Sequence, residues 1–155
     1  MPEVGEKAPP FSLYDNDRKL RSSAEFLSPG HRTIIAFFPG AFTGVCTQEM
    51  CAFRDMYAEL QKLNGSVVGI SVDSPFASKG FAEKHSLTFP LLCDFRRDTV
   101  RAYGVVWMNL GGVEGYESAN RAIFVVDGEG MVLYKWVAEN PGVLPNFDAV
   151  KTALS

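Results

Sequence analysis

Two histidines and three cysteines in 155 residues leave little from which to build a metal site. Cys46, Cys51 and Cys93, with His31 and His85, form no C-x-x-C or H-x-x-x-H pair, the spacings that hold zinc. An odd number of cysteines does not make a static disulfide framework; it points to reactive thiols in a reducing compartment. A basic excess is also missing. The net charge of −3 gives no electrostatic footprint for nucleic acid or an anionic membrane surface. No apolar run approaches the ~18 residues needed to span a bilayer. The opening Met1-Pro2-Glu3-Val4-Gly5-Glu6 lacks both the basic start and the apolar stretch of a signal peptide, so a cytoplasmic location is expected. Internal repeats, low-complexity segments and linkers are absent. Residues 1–155 therefore read as a single domain, and that length suits one sizeable core.

The chain does contain a junction with chemical potential. The apolar run Ile34-Ile35-Ala36-Phe37-Phe38 reads as a buried strand, and Thr47 to Leu63 reads as a long amphipathic helix. Between them lies Pro39-Gly40-Ala41-Phe42-Thr43-Gly44-Val45-Cys46. Cys46 thus falls at a helix start, where free N–H groups and the positive end of the helix dipole favour an anion such as a thiolate. Thr43 precedes it by about one turn, which brings its hydroxyl within reach of the sulfur or its substrate. Pro39 fixes the chain's direction as it leaves the strand. The alternative for Cys46 is a buried, inert thiol, the usual state of cysteine.

The remaining chain supplies a scaffold. Phe11 to Arg21, around Asp15-Asn16-Asp17, reads as a small hairpin, and Ser22-Ser23 with Glu25 as a short helix start. Met50, Phe53, Tyr57 and Leu60 make one apolar stripe that Cys46 extends, and Asn64-Gly65 ends the helix. Ser66 to Asp73 is a second strand. Pro75 to His85 is a second helix, capped by Asp73 or Ser74. A short strand near Leu91-Leu92-Cys93 and a helix over Asp98 to Tyr103 follow. Gly104 to Asn120 reads mostly as loop, with Trp107, Met108 and Tyr116 covering the core or lining a pocket. Arg121–Val126 and Met131–Val137 form a hairpin, and a helix over Asn146 to Leu154 closes the chain. Parallel βαβ units followed by antiparallel strands give an α/β fold: a mixed central sheet with helices on both faces.

Cys51 is a second candidate thiol. Five residues on an ideal helix give about 7.5 Å of rise and about 140° of rotation, hence Cα atoms roughly 8.7 Å apart. That exceeds the ~7 Å limit for a disulfide, so Cys51 reaches Cys46 only if the first turns unwind. Its helical neighbours Arg54, Asp55 and Lys62 place it on a more polar face; otherwise it is a half-buried bystander. Cys93, inside an apolar strand, reads as a buried structural thiol. Four residues separate Cys46 from Cys51, which does not fit a C-x-x-C disulfide reductase.

Pro39-x-x-x-Thr43-x-x-Cys46 resembles the peroxidatic motif of peroxiredoxins, with every fixed position filled. The segments Val4–Phe11, Val68–Pro75, Phe89–Asp94 and Arg121–Asp127 also resemble that family, so the likeness spans nearly the whole chain. Cys46-x-x-x-x-Cys51 is similar to the Q-type (bacterioferritin-comigratory) branch, with some likeness to the one-cysteine alkyl hydroperoxide reductase E-like branch. The resemblance implies a thioredoxin-like fold and a thiol peroxidase without metal, haem or flavin. It implies that Cys46 is oxidised to sulfenic acid by hydrogen peroxide or organic hydroperoxides, that Cys51 resolves it, and that a thioredoxin- or glutaredoxin-like thiol recycles it. It assigns Arg121, by sequence one of several arginines ahead of a strand, as the active-site cation. It also assigns Glu49 as the residue that orients this arginine, where position alone allows a solvated first-turn glutamate. A monomer or weak homodimer follows, pairing through loops near Phe42 and Trp107. The alternatives are a one-cysteine peroxidase resolved by an external thiol, or a redox-regulated holdase or signalling protein.

Overall fold

The computed structural model describes all 155 residues. Strand β1 (Ser12–Asp15) turns into β2 (Leu20–Ser22), where Asp15 Oδ1 accepts the N–H groups of Asp17 and Lys19. Ser22 and Glu25 cap each other's backbone and start a 3-10 turn over Ser23–Phe26. Then come β3 (Arg32–Phe37), helix α1 (Gly44–Lys62), β4 (Gly65–Ser71), α2 (Pro75–His85), β5 (Leu91–Cys93) and α3 (Asp98–Ala102). After β6 (Val106–Met108) and β7 (Glu117–Ala119), the hairpin β8 (Ala122–Val126) and β9 (Val132–Val137) leads to α4 (Phe147–Thr152).

Seven strands form one sheet in the order β2-β1-β5-β4-β3-β8-β9. The centre, β5-β4-β3, is parallel, and β1, β8 and β9 run antiparallel to their neighbours. β3 is buried from Thr33 onward, which is why it reads as a continuous apolar run rather than an alternating one. Its side chains still alternate between two cores. Ile34, Ala36 and Phe38 pack with residues of α1, α2 and α4, while Ile35 and Phe37 pack with α3 and the N-terminal segment. Helices therefore cover both faces of the sheet.

The stripe on α1 docks it to the sheet: Met50, Phe53 and Leu60 are fully buried, each contributing about 1.5–3 kcal/mol. The helix comes close because Gly69 has no side chain; a Cβ there would lie 2.8 Å from Leu91 and 3.5 Å from the Met50 sulfur. Register then decides what meets at the sheet's edge. Phe37 pairs with Ile70 in parallel and with Ala122 in antiparallel. The ends of β3 and β4 and the beginning of β8 thus lie side by side. Any residue just after β3 or β4, or just before β8, is delivered to the same place.

Residues 104–120 depart from the loop reading. Val106↔Ala119, Trp107↔Ser118 and Met108↔Glu117 pair as a small antiparallel ladder. Three-residue strands carry too little alternation to announce themselves, and Gly111, Gly112 and Gly115, all at positive φ, build the turn between them. Tyr116 packs against the core, whereas Met108 is 52% exposed.

Candidate active site

α1 begins at Gly44 with Thr43 as its N-cap, so Cys46 is the third residue of the first turn. Cys46 is completely enclosed. Any reactant therefore reaches the sulfur only by displacing part of its surroundings.

Arg121 precedes β8 and is 1% exposed, not a surface residue. Its Nη2 donates to Cys46 Sγ at 3.2 Å and its Nη1 donates to Glu49 Oε1 at 2.9 Å. Nε and Nη2 also donate to the carbonyl of Pro141, at 3.1 and 2.8 Å. The guanidinium is thus fixed in a plane by a carboxylate and a backbone carbonyl, with one N–H left on the sulfur. This geometry stabilises negative charge at Cys46 and on an atom reacting with it.

Glu49 has no exposed surface, which removes the solvated-glutamate alternative. Burial pushes its carboxyl up to about 7, against the charge and hydrogen bond of Arg121, which hold it down. Its Oε2 has no hydrogen-bond partner. Burial and Arg121 thus pull the Glu49 carboxyl in opposite directions, with burial the stronger, beside the arginine that touches the sulfur.

Thr43 lies at the site but does not bond the sulfur in this state. Its Oγ1 donates to the Gly40 carbonyl at 2.9 Å, and its own carbonyl accepts from Thr47 Oγ1 at 2.8 Å. The hydroxyl's lone pairs remain free to accept a further hydrogen bond. Thr43→Val keeps the shape and removes that group. Stopped-flow oxidation of Cys46 should slow about tenfold; an unaltered rate would remove Thr43 from the site. Pro39 is buried at the exit of β3, where the chain turns toward α1.

Cys51 is half-buried and unbonded, one and a half turns along an intact helix. The adjoining turn is tied to α2 by Arg54 Nη1, which donates to the His85 carbonyl at 2.7 Å. Cys93 is buried beside Ser78 Oγ at 3.5 Å, and burial pushes its thiol up to about 11. It is an inert thiol.

Two contributors carried no readable sequence signal. Pro141 acts through its backbone carbonyl, which every residue possesses. Asp73 was one of two candidate caps for α2, but Ser74 takes that role, accepting from Ala77 N–H at 3.2 Å. Asp73 Oδ2 instead accepts from Ala41 N–H at 2.8 Å.

Residues 4–135 match the AhpC/TSA family. The putative peroxiredoxin bcp of Coxiella burnetii is 35% identical over 134 residues, covering 86% of this chain and 87% of that one. Peroxiredoxin Bcp of Escherichia coli is 35% identical over 130 residues, covering 84% and 82%. Among solved structures, peroxidoxin BcpB of Mycobacterium tuberculosis superposes with a TM-score of 0.87 at 29% identity, over 99% of this chain and 97% of that one. The Xanthomonas campestris bacterioferritin comigratory protein, studied for its alkyl peroxide reduction activity, gives 0.78 at 26% identity over 93% and 89%. With this likeness covering the strand-to-helix junction and the strand that carries Arg121, the chain belongs to the AhpC/TSA family as a thiol peroxidase of the Bcp/peroxiredoxin Q type, on a thioredoxin-like fold.

Proposed function

We propose that the peroxidase cycle of this chain runs through Cys46, with Cys51 as the resolving thiol. The observation that carries the reading is the convergence of Arg121 Nη2 and Cys46 Sγ at 3.2 Å across 75 positions of sequence. The Cys46 thiolate attacks one peroxide oxygen, and the O–O bond breaks. The other oxygen leaves with the electron pair and takes a proton to become water or an alcohol. Cys46 becomes a sulfenic acid. Arg121 holds the thiolate before attack and the developing negative charge during it. Glu49 keeps the guanidinium in place, and Thr43 orients the peroxide. Pro39 aims the loop that brings Thr43 and Cys46 together.

Cys51 then attacks the sulfenic sulfur, a disulfide forms and water leaves. An ideal helix keeps the two Cα atoms roughly 8.7 Å apart, so this step requires the first turns of α1 to unwind. An external dithiol of the thioredoxin or glutaredoxin class returns both thiols to the reduced state. Hydrogen peroxide and organic hydroperoxides are the substrates; the Xanthomonas relative's alkyl peroxide reduction makes organic hydroperoxides the ones to test first. The cycle suits the cytoplasm, where such dithiols are kept reduced. No helix is long and apolar enough to cross a membrane. The chain works as one domain, monomeric or weakly dimeric, with Phe42, exposed beside the start of α1, offering apolar surface at the site and Trp107 only half-buried.

Peptide mapping after one equivalent of peroxide tests the resolving step. A Cys46–Cys51 crosslink is expected, with faster amide exchange across residues 43–53 in the oxidised protein. Cys51→Ser should leave the first oxidation unchanged and trap Cys46 as sulfenic acid. A crosslink from Cys46 to Cys93, or to a second chain, would take the resolving role from Cys51.

A further inference from the structure

The loop that delivers Cys46 is gripped from outside its own helix. Asp73 Oδ2 accepts from Ala41 N–H at 2.8 Å and from Ser71 Oγ at 2.7 Å, and Ser71 is fully buried at the end of β4. A carboxylate holding a backbone N–H that lies 32 positions away belongs to no helix or strand ladder. Its neighbour in the gripped loop is under strain. Phe42 has φ +64°, the left-handed region that bulky side chains avoid, and is 54% exposed. Its ring packs edge-on against Phe81, 5.4 Å between centroids, and Lys84 Nζ lies 5.9 Å from its centroid. Thr43, immediately after, occupies the N-cap position of α1, with its hydroxyl turned to the Gly40 carbonyl. Unwinding the start of α1 would relax Phe42, so the strain favours the open form and the Asp73 contact opposes it.

We propose that Asp73 is a positioning residue that latches the 39–43 loop to the end of β4. By doing so it sets how the Cys46 sulfenic acid divides between resolution and a second, damaging peroxide. Asp73 touches neither sulfur nor substrate. It stabilises only the closed form, in which Arg121 reaches Cys46; the open form is the one that lets Cys51 approach. A contact present in one state and absent in the other shifts their populations by its full differential strength. Weakening it therefore slows activation and speeds resolution, two effects of opposite sign that a general loss of stability does not produce.

The division of the sulfenic acid rests on Cys51 as the resolving thiol; the latch itself does not. The test uses the full chain carrying Asp73→Ala, Asp73→Asn or Ser71→Ala. In the reduced protein, amide exchange across residues 41–50 should rise about tenfold in Asp73→Ala, less in Ser71→Ala, and little in Asp73→Asn, which keeps an acceptor oxygen for Ala41. Under excess peroxide, mass spectrometry should show the sulfinic form of Cys46 falling about fivefold in Asp73→Ala as the disulfide gains. Peroxide oxidation of Cys46 should slow in the same variant, and Asp73→Asn should restore it. Unchanged exchange at 41–50, exchange raised equally throughout the chain, or more sulfinic acid in Asp73→Ala would each overturn the latch. If the unmutated chain forms no Cys46–Cys51 disulfide, the resolving assignment fails alone, and the exchange measurement still decides the latch.

Discussion

Replacing Arg121 by alanine should slow oxidation of Cys46 by peroxide about a hundred- to a thousandfold, the usual loss when a preorganised donor to a developing anion is removed. It should also weaken the fold. The variant leaves Glu49 buried without its partner and the Pro141 carbonyl without two donors. Breaking a buried ion pair from one side costs about 3–5 kcal/mol when the remaining group stays charged. Glu49 has an escape, because it can take up a proton. Burial already raises its carboxyl to about 7, and the two influences holding it down both come from Arg121. Without them it rises further.

The sign of the pH dependence follows. With Arg121 present, the folded state holds the Glu49 proton more tightly than the unfolded state does. The resulting stability is fully present below the ordinary glutamate value and is lost as pH rises through about 7. In Arg121→Ala the window moves upward, so the variant is least impaired in mild acid and increasingly impaired above neutrality. Urea unfolding at several pH values checks this. Adding Glu49→Gln to Arg121→Ala should recover much of the stability and abolish the pH dependence, while recovering none of the rate. A double variant as fast as the unmutated chain would mean that the arginine's contribution is only structural.

Cys46→Ser should abolish peroxide reduction while leaving the fold intact. Serine is nearly the same size, and its oxygen can accept the Arg121 N–H that the sulfur accepts now. Activity nevertheless disappears. A serine hydroxyl is a weak nucleophile without a dedicated base. The one carboxylate bonded to the Arg121 head, Glu49, has its proximal oxygen committed to Arg121. No sulfenic acid can form, so neither can the disulfide, whatever Cys51 does. Peroxide consumption with an added thiol reductant should fall to background, and the mass of the intact protein should not change after peroxide. Substantial turnover would move the chemistry to another residue.

What could be read from the sequence follows the range of the interactions involved. Cys46, Thr43 and Pro39 were legible because a strand, a turn and a helix start lie within eight positions, and each leaves a local mark. The sheet was legible because apolar runs between helices admit few topologies. Arg121 was not singled out by its own surroundings. The antiparallel pairing of Phe37 with Ala122 brings it to Cys46, and a pairing partner is not written in either strand. Only the resemblance of the Arg121–Asp127 segment pointed to it. Glu49 was ambiguous for a related reason: a first-turn glutamate is solvated unless something covers it, and here its partner is Arg121, 72 positions away. The β6–β7 ladder was invisible because its strands are too short for alternation to show.

The two hydrogen bonds from Arg121 to the Pro141 carbonyl reach beyond residues 4–135, the segment that matches the family. Pro141 sits in the turn after β9, shaped by Asn140, whose Oδ1 accepts from Gly142 N–H at 2.9 Å. The guanidinium is therefore braced partly by backbone that lies beyond the matched segment. Exchanging this turn between related proteins would retune the arginine without touching a motif residue. A chain that kept residues 4–135 but lost this turn would carry every motif side chain and still hold its guanidinium loosely.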